Sequence, residues 1–343
     1  MGLIRGWKDA GFEDEWLLEG ARDLAEGIVE EMEGLGAVHL SGSTGPWSRI
    51  LVQQSRIPLH VKKFRPDVLL CTTPVVPVAT LGIPTVAVVH DLRHLTRPED
   101  FSTFQNLYRR RAWPSGLRRA TRLIADSERT RRDLAEKYPF TASKTDVVYL
   151  GSDHVDGQKR EPAGHGIAFA RWANKRPDFA IRSWAALKQL RPDLNRALHI
   201  VGAAAEEHPA LLDLASQLGI ADLVVVHPFL GEEEYWRLFG SASVVLFASH
   251  FEGFGLPVLE SMRLRIPVVT WRDPAVVEVA GECAFYAEPT PDDFAARTEQ
   301  VLWPPNRSAS LVEAAYDRSA SWTWRATAEQ TRAVLEQAVE QGS

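Results

Sequence analysis

Two glutamates eight positions apart, Glu252 and Glu260, lie in the segment SHFEGFGLPVLESM, Ser249 to Met262. The run SVVLFA before it reads as a strand, and the residues from Pro257 onward read as a helix. Gly253 and Gly255 permit a tight loop and close approach of backbone to a ligand. Pro257 suits the first turn of a helix, whose exposed N–H groups favour a phosphate. The spacing lets one carboxylate face the loop pocket and the other a point deeper along the same cleft. Carboxylates beside a phosphate site are natural acceptors for sugar hydroxyls. A strand–loop–helix junction with two solvated glutamates is the plain alternative, and it is the length of the string rather than G-x-G that speaks for a site.

A second candidate is His90. It follows the apolar run TVAVV and so emerges where parallel sheets place ligands, with Asp91 next to it.

These residues need elements to hold them. Continuous apolar runs recur at Ala37–Leu40, Asp67–Cys71, Thr85–His90, Arg122–Asp126 and Asp146–Leu150. They recur again at Ile167–Ala170, Leu198–Val201, Leu223–Val226, Val244–Ala248, Pro267–Thr270 and Ala284–Ala287. Between them lie helix-like stretches, Glu15–Met32, Phe101–Ala120, Pro177–Leu190 and Pro209–Leu218 among them. Apolar strands alternating with amphipathic helices imply buried parallel sheets, the doubly wound α/β class. The pattern breaks at 151–166, GSDHVDGQKREPAGHG, a polar stretch rich in Gly and Pro that reads as a linker. The expected organisation is an N-terminal domain over 1–157, a second domain over 158–320 and a closing helix over 321–343. The default ligand site is a cleft between two such domains.

Composition bounds the function. Of 343 residues, 45% are apolar and 24% charged, an ordinary globular mixture. No run approaches the twenty apolar residues of a membrane span, and the polar, acidic start does not read as a signal peptide. Cys71 and Cys283 are far apart and lack metal-ligand spacing, so a reducing, cytoplasmic setting is expected. Residues 1–35 carry a net charge of −7, residues 36–157 +7 and residues 158–343 −6. The acidic second half argues against nucleic-acid binding. The basic block includes Arg109, Arg110, Arg111, Arg118, Arg119 and Arg122. A solvated helix face, partly paired with the acidic first segment, is the preferred reading; peripheral contact with an anionic membrane is the alternative.

Glu252 and Glu260 together resemble the E-x7-E motif of retaining glycosyltransferases of the GT-B fold, and the full wording resembles their family 4. VVHDLRHLTRPEDFS from Val88, LIADSERTRRDLAEKY from Leu123, VVYLGSDH from Val147 and IAFARWANKRPDFAIRSW from Ile167 are similar to further segments of that family. The resemblance implies two Rossmann-like domains facing a cleft, with Glu252 on the transferred sugar and Glu260 on the ribose. It implies that backbone groups of Gly253, Phe254, Gly255 and Leu256, ahead of Pro257, line the sugar and diphosphate. Arg171 and Lys175 would hold the diphosphate, and His90 would lie beside the reacting carbon without serving as general base. The family usually opens with a strand and a Gly-rich loop. Here that strand is weak or missing, and Gly20 is the remnant expected on the acceptor side.

The implied reaction is metal-independent hexosyl transfer from a nucleotide-sugar, with retention, to a saccharide, lipid-linked or small-molecule acceptor. No D-x-D occurs in the chain, so two cations and a helix terminus would stabilise the leaving diphosphate. No cofactor is expected. The wording HDLRHLTRPEDFS suggests a GDP-mannose-like donor. A non-catalytic nucleotide-sugar-binding protein and a glycoside phosphorylase are the competing functions. Glu252→Gln is expected to leave folding little affected.

Overall fold

A computed structural model describes residues 1–21, 31–41, 46–79, 81–304 and 308–342; the side chains at 20–21, 37–41 and 46–53 lie outside that description. The chain divides into two compact units, one made of Met1–His154 with Trp322–Ser343, the other of Val155–Ser321.

The first unit is built on a parallel sheet of β3 (Leu69–Cys71), β4 (Thr85–Val89), β5 (Arg122–Ala125) and β6 (Thr145–Val147), in that order. Successive strand residues point to opposite faces, and both faces are covered. Ala87, Val89, Leu123 and Ala125 pack with Leu117 and Leu134 of the helices Thr103–Arg119 and Glu128–Lys137. Val86 and Ile124 pack on the other face with Val334 and Ala338 of the last helix, Trp324–Gly342. Burial on both sides is why these strands read as continuous apolar runs.

Ahead of this sheet, β1 (Trp16–Ala21) and β2 (Gly36–Ser41) form a parallel pair of their own. The first strand is therefore short but present, and it occupies the start of a stretch that reads as helix from the sequence. Residues 22–30 of that stretch lie outside the described residues. The run WLL has the length and apolarity of a strand only when its partner, GAVHL, is counted, and helix periodicity in one segment cannot show that partner.

The second unit carries six parallel strands: β7 (Gly166–Phe169), β8 (Leu198–Val201), β9 (Val224–His227), β10 (Val244–Phe247), β11 (Val268–Thr270) and β12 (Phe285–Tyr286). Their order across the sheet is β12-β11-β10-β7-β8-β9. Helices Pro177–Leu190 and Pro291–Leu302 cover one face through Trp184, Leu187, Phe294 and Val301. All eleven strands expected from apolar runs are present, within three residues at their ends.

Candidate active site

In the second unit the strand order reverses between β7 and β10. One half of the sheet grows away from β7 and the other away from β10, so the loops leaving their carboxyl ends flank a crevice. Open parallel sheets bind ligands there. The loop after β7 carries Arg171 to Lys175, and the loop after β10 carries Ser249 to Gly255. Residues far apart in sequence meet because both strands end on the same side.

The meeting point is Glu252. Lys175 Nζ donates to its Oε1 at 2.7 Å, and Asn174 Nδ2 donates to the same oxygen at 3.2 Å. Both charged side chains are about nine-tenths buried, Lys175 at 11% and Glu252 at 10% exposure. Asn174 Nδ2, with two N–H groups to share, also lies 2.8 Å from Ser249 Oγ and 2.9 Å from the Phe251 carbonyl oxygen, while the Asn174 backbone carbonyl accepts from His250 N at 3.0 Å. It is a clamp between the two loops. The Lys175 ammonium lies 4.6 Å from the Phe247 ring centre. A buried carboxylate with a charged and a neutral donor on one oxygen has a fixed orientation. This corrects the expectation for Glu252→Gln: the change would leave the Lys175 ammonium buried without its counter-charge.

The helix Leu256–Arg263 starts at Gly255, whose φ of 98° is a left-handed conformation that suits glycine. Pro257 lies in its first turn and Phe254 is buried just before it. Leu256 opens the helix, and Gly253 lies in the preceding loop. Glu260, in the second turn, is buried, so neither glutamate is solvated. Burial, with the Glu260 carboxylate second, pushes the Tyr235 phenol well above its ordinary range. Arg171 takes a different setting. Its guanidinium lies 5.0 Å from the Phe229 ring centre and 5.5 Å from that of Trp172, both rings being exposed.

In the first unit, His90 is the residue directly after β4. Its Nδ1 lies 2.5 Å from Asp126 Oδ2, directly after β5, and its Nε2 lies 3.1 Å from the carbonyl oxygen of Thr72, directly after β3. The Asp126 charge is the main cause that pushes His90 up to about 9. Gly20 lies within β1, opposite Leu40 of β2, and not in a loop as expected. Among the described residues of the acidic first segment, Glu31 pairs with Arg5, Asp14 with Arg332 and Glu19 with His60, so the arginines of the basic block are not its partners there. Arg122 pairs instead with Asp146 on the neighbouring strand, and Arg109 lies over Phe101 and Trp113.

Asn174 and Asp126 are the residues that sequence reasoning missed. The signal for Asn174 was its place beside Lys175 in a post-strand loop. For Asp126 it was a carboxyl at the end of the strand next to that of His90.

Residues 3–156 match the family described as Glycosyltransferase Family 4, and residues 169–318 match Glycosyl transferases group 1. Among curated relatives, a D-inositol 3-phosphate glycosyltransferase of Nocardiopsis dassonvillei is 28% identical over 62% of this chain and 55% of its own length. An MMP alpha-(1->4)-mannosyltransferase of Mycolicibacterium hassiacum is 28% identical over 76% of this chain and 67% of its own. The matched segments thus span about half to two-thirds of those relatives. Among solved structures, Anabaena Alr3699/HepE in complex with UDP-glucose superposes with a TM-score of 0.76 at 20% identity, over 98% of this chain and 95% of that one. WaaG, a glycosyltransferase involved in lipopolysaccharide biosynthesis, superposes with a TM-score of 0.66 at 16% identity, over 88% and 87%. With two parallel-sheet units, a clamped glutamate at the switch point and matches along nearly the whole chain, this protein belongs to the family 4 glycosyltransferases of the GT-B fold.

Proposed function

We propose that the protein moves a hexosyl group from a nucleotide-sugar to a hydroxyl acceptor, with retention of anomeric configuration and without a metal ion. The bond from the anomeric carbon to the donor's diphosphate oxygen breaks. A bond from that carbon to the acceptor oxygen forms on the same face, and the acceptor's proton leaves on the diphosphate. The observation that carries this reading is the buried Asn174–Lys175–Glu252 cluster at the switch point, directly ahead of a helix N-terminus. Glu252, oriented by both neighbours, accepts from sugar hydroxyls; Glu260 accepts from the ribose. An ammonium has three donors, so Lys175 can hold Glu252 and still reach phosphate oxygens. Together with Arg171 and the first-turn N–H groups it meets the charge that develops on the leaving diphosphate, where each such donor contributes roughly 10²–10³ in rate.

The HDLRHLTRPEDFS wording favours a GDP-mannose-like donor, while the solved HepE complex holds UDP-glucose. The acceptor is a saccharide, a lipid-linked glycan or a small molecule. Among the described residues no helix is long and apolar enough to cross a membrane. A cytoplasmic setting belongs to the same proposal; the exposed Arg110, Arg111, Arg118 and Arg119 are read as a solvated helix face, with peripheral lipid contact as the alternative that sedimentation with anionic vesicles would reveal. Release of nucleoside diphosphate from a panel of UDP- and GDP-sugars, with and without each acceptor class, tests the reaction. Acceptor-dependent release that survives saturating EDTA is expected. Binding without turnover identifies a nucleotide-sugar-binding protein instead, and cleavage that needs inorganic phosphate identifies a phosphorylase. Loss in EDTA with recovery on adding Mg²⁺ or Mn²⁺ overturns the metal-independent reading.

A further inference from the structure

His90 is held at both ring nitrogens by atoms that only accept hydrogen bonds. Asp126 Oδ2 faces Nδ1 at 2.5 Å, and the Thr72 carbonyl oxygen faces Nε2 at 3.1 Å. A carboxylate and a peptide carbonyl bring lone pairs and no hydrogen. A neutral imidazole has one N–H, so in either tautomer one of these contacts would set lone pair against lone pair. The imidazolium satisfies both. The backbone is fixed as well, since Thr130 Oγ1 donates to the His90 carbonyl at 3.2 Å. Exposure divides the pair unevenly: the Asp126 side chain is 4% exposed and that of His90 is 55% exposed. The counter-charge is sealed under the sheet end while the cation keeps a face toward solvent. Loss of the proton would leave the buried carboxylate without its cation, a costly state. Asp91 is the other charged group that acts on the ring, and it favours the same form.

We infer that Asp126 is a positioning residue that keeps His90 doubly protonated, so that His90 works as a fixed positive charge and not as the base that takes the acceptor's proton. The second half of this inference rests on the glycosyl-transfer reading above; the first half does not. The three residues involved are the first beyond β3, β4 and β5, and the parallel register, Val89 beside Ala125, brings His90 next to Asp126. Proton transfer in the proposed reaction then runs from the acceptor hydroxyl to the departing diphosphate, with no net change at His90.

The direct measurement is the protonation state of the His90 ring by NMR of the intact protein labelled at histidine nitrogens, assigned with His90→Gln. Both nitrogens should be protonated at pH 7, with titration near 9. A neutral His90 at pH 7 overturns the inference whether or not the protein transfers sugar. Asp126→Asn should bring the titration down to the ordinary 6.5 or below, and Asp126→Glu should restore part of the rise. With turnover in hand, the alkaline limb of kcat should follow the ring, moving from near 9 to near neutrality in Asp126→Asn, while nucleoside diphosphate affinity stays as it was. A limb that does not move sinks the catalytic half. If Asp126→Asn does not fold, the measurement on the unaltered protein still decides the charge state.

Discussion

Lys175 and Glu252 meet at 2.7 Å with about a tenth of each side chain exposed, so neither is readily removed alone. Breaking a buried pair by neutralising one partner costs about 3–5 kcal/mol. Lys175→Met and Glu252→Gln should each lower the urea midpoint accordingly. The double variant should recover most of the loss, because it leaves no uncompensated charge, yet should not regain turnover. Independent losses that simply add would show that the pair does not act as a unit. Glu260 is tested differently. Charged hydrogen bonds contribute roughly 1.5–3 kcal/mol, so Glu260→Ala should weaken nucleoside diphosphate binding more than tenfold by calorimetry. Unchanged affinity would remove Glu260 from the nucleotide site. The glutamates were legible in the sequence because their spacing is local. Asn174 was not, because its acceptors lie more than seventy positions away.

Strand ends set the titration behaviour of each unit. On β8 and β9, His199 Nδ1 lies 2.8 Å from His227 Nε2, and the two rings stack at 14°. The His165 ring centre is 4.5 Å from that of His199. Burial first, and the neighbouring imidazoles after it, push His199 down to about 4; burial lowers His165 and His227 as well. These rings take up protons less readily in the folded unit than once unfolded. The contribution of His199 is present above the ordinary 6.5 and is lost as pH falls through about 4, and those of His165 and His227 change in the same direction. His90 has the opposite sign. Its contribution is full below 6.5 and is lost as pH rises through about 9. Thermal melts from pH 4 to 9 should therefore decline at both ends. His199→Gln should flatten the acid side only, and Asp126→Asn the alkaline side only. A flat acid side in the unaltered protein would contradict the histidine account.

At the scale of the whole chain, the last helix belongs with the first. Added β-carbons at Gly2 and Gly6 would come within 2.1 Å of the Trp324 ring and 2.0 Å of the Trp324 carbonyl oxygen, and one at Gly151 within 2.1 Å of the Trp324 nitrogen. Three backbone segments thus approach one tryptophan closely. Trp324 N donates to Asp153 Oδ1 at 2.7 Å, and the indole N–H donates to His154 at 2.9 Å. Gly6→Ala must push backbone rather than a pliable side chain. Overpacking of that kind costs about 1–3 kcal/mol, visible as a lower urea midpoint. A variant as stable as the parent would mean that the contact is looser than its geometry. Cutting the chain after Ser321 removes Val334 and Ala338 from one face of the first sheet and should leave that unit unable to fold.

Much of this was legible before any fold was known. Apolar runs marked eleven strands because parallel sheets are buried on both faces, and burial leaves its mark residue by residue. Gly255, Pro257 and Glu260 stand in one strand–loop–helix segment, so their spacing marked the loop and the helix start that the fold contains. What local pattern could not carry was pairing. The strand Trp16–Ala21 is stabilised by Gly36–Ser41, not by its own periodicity. The charge on Glu252 is balanced by a lysine from another loop, and the charge on His90 by an aspartate from another strand. Both partnerships arise because parallel strands end side by side. Sequence determined which elements form and which groups stand at their ends. Tertiary structure decided which of those groups meet, because hydrogen bonds and close ion pairs form at about 3 Å, whatever the distance along the chain.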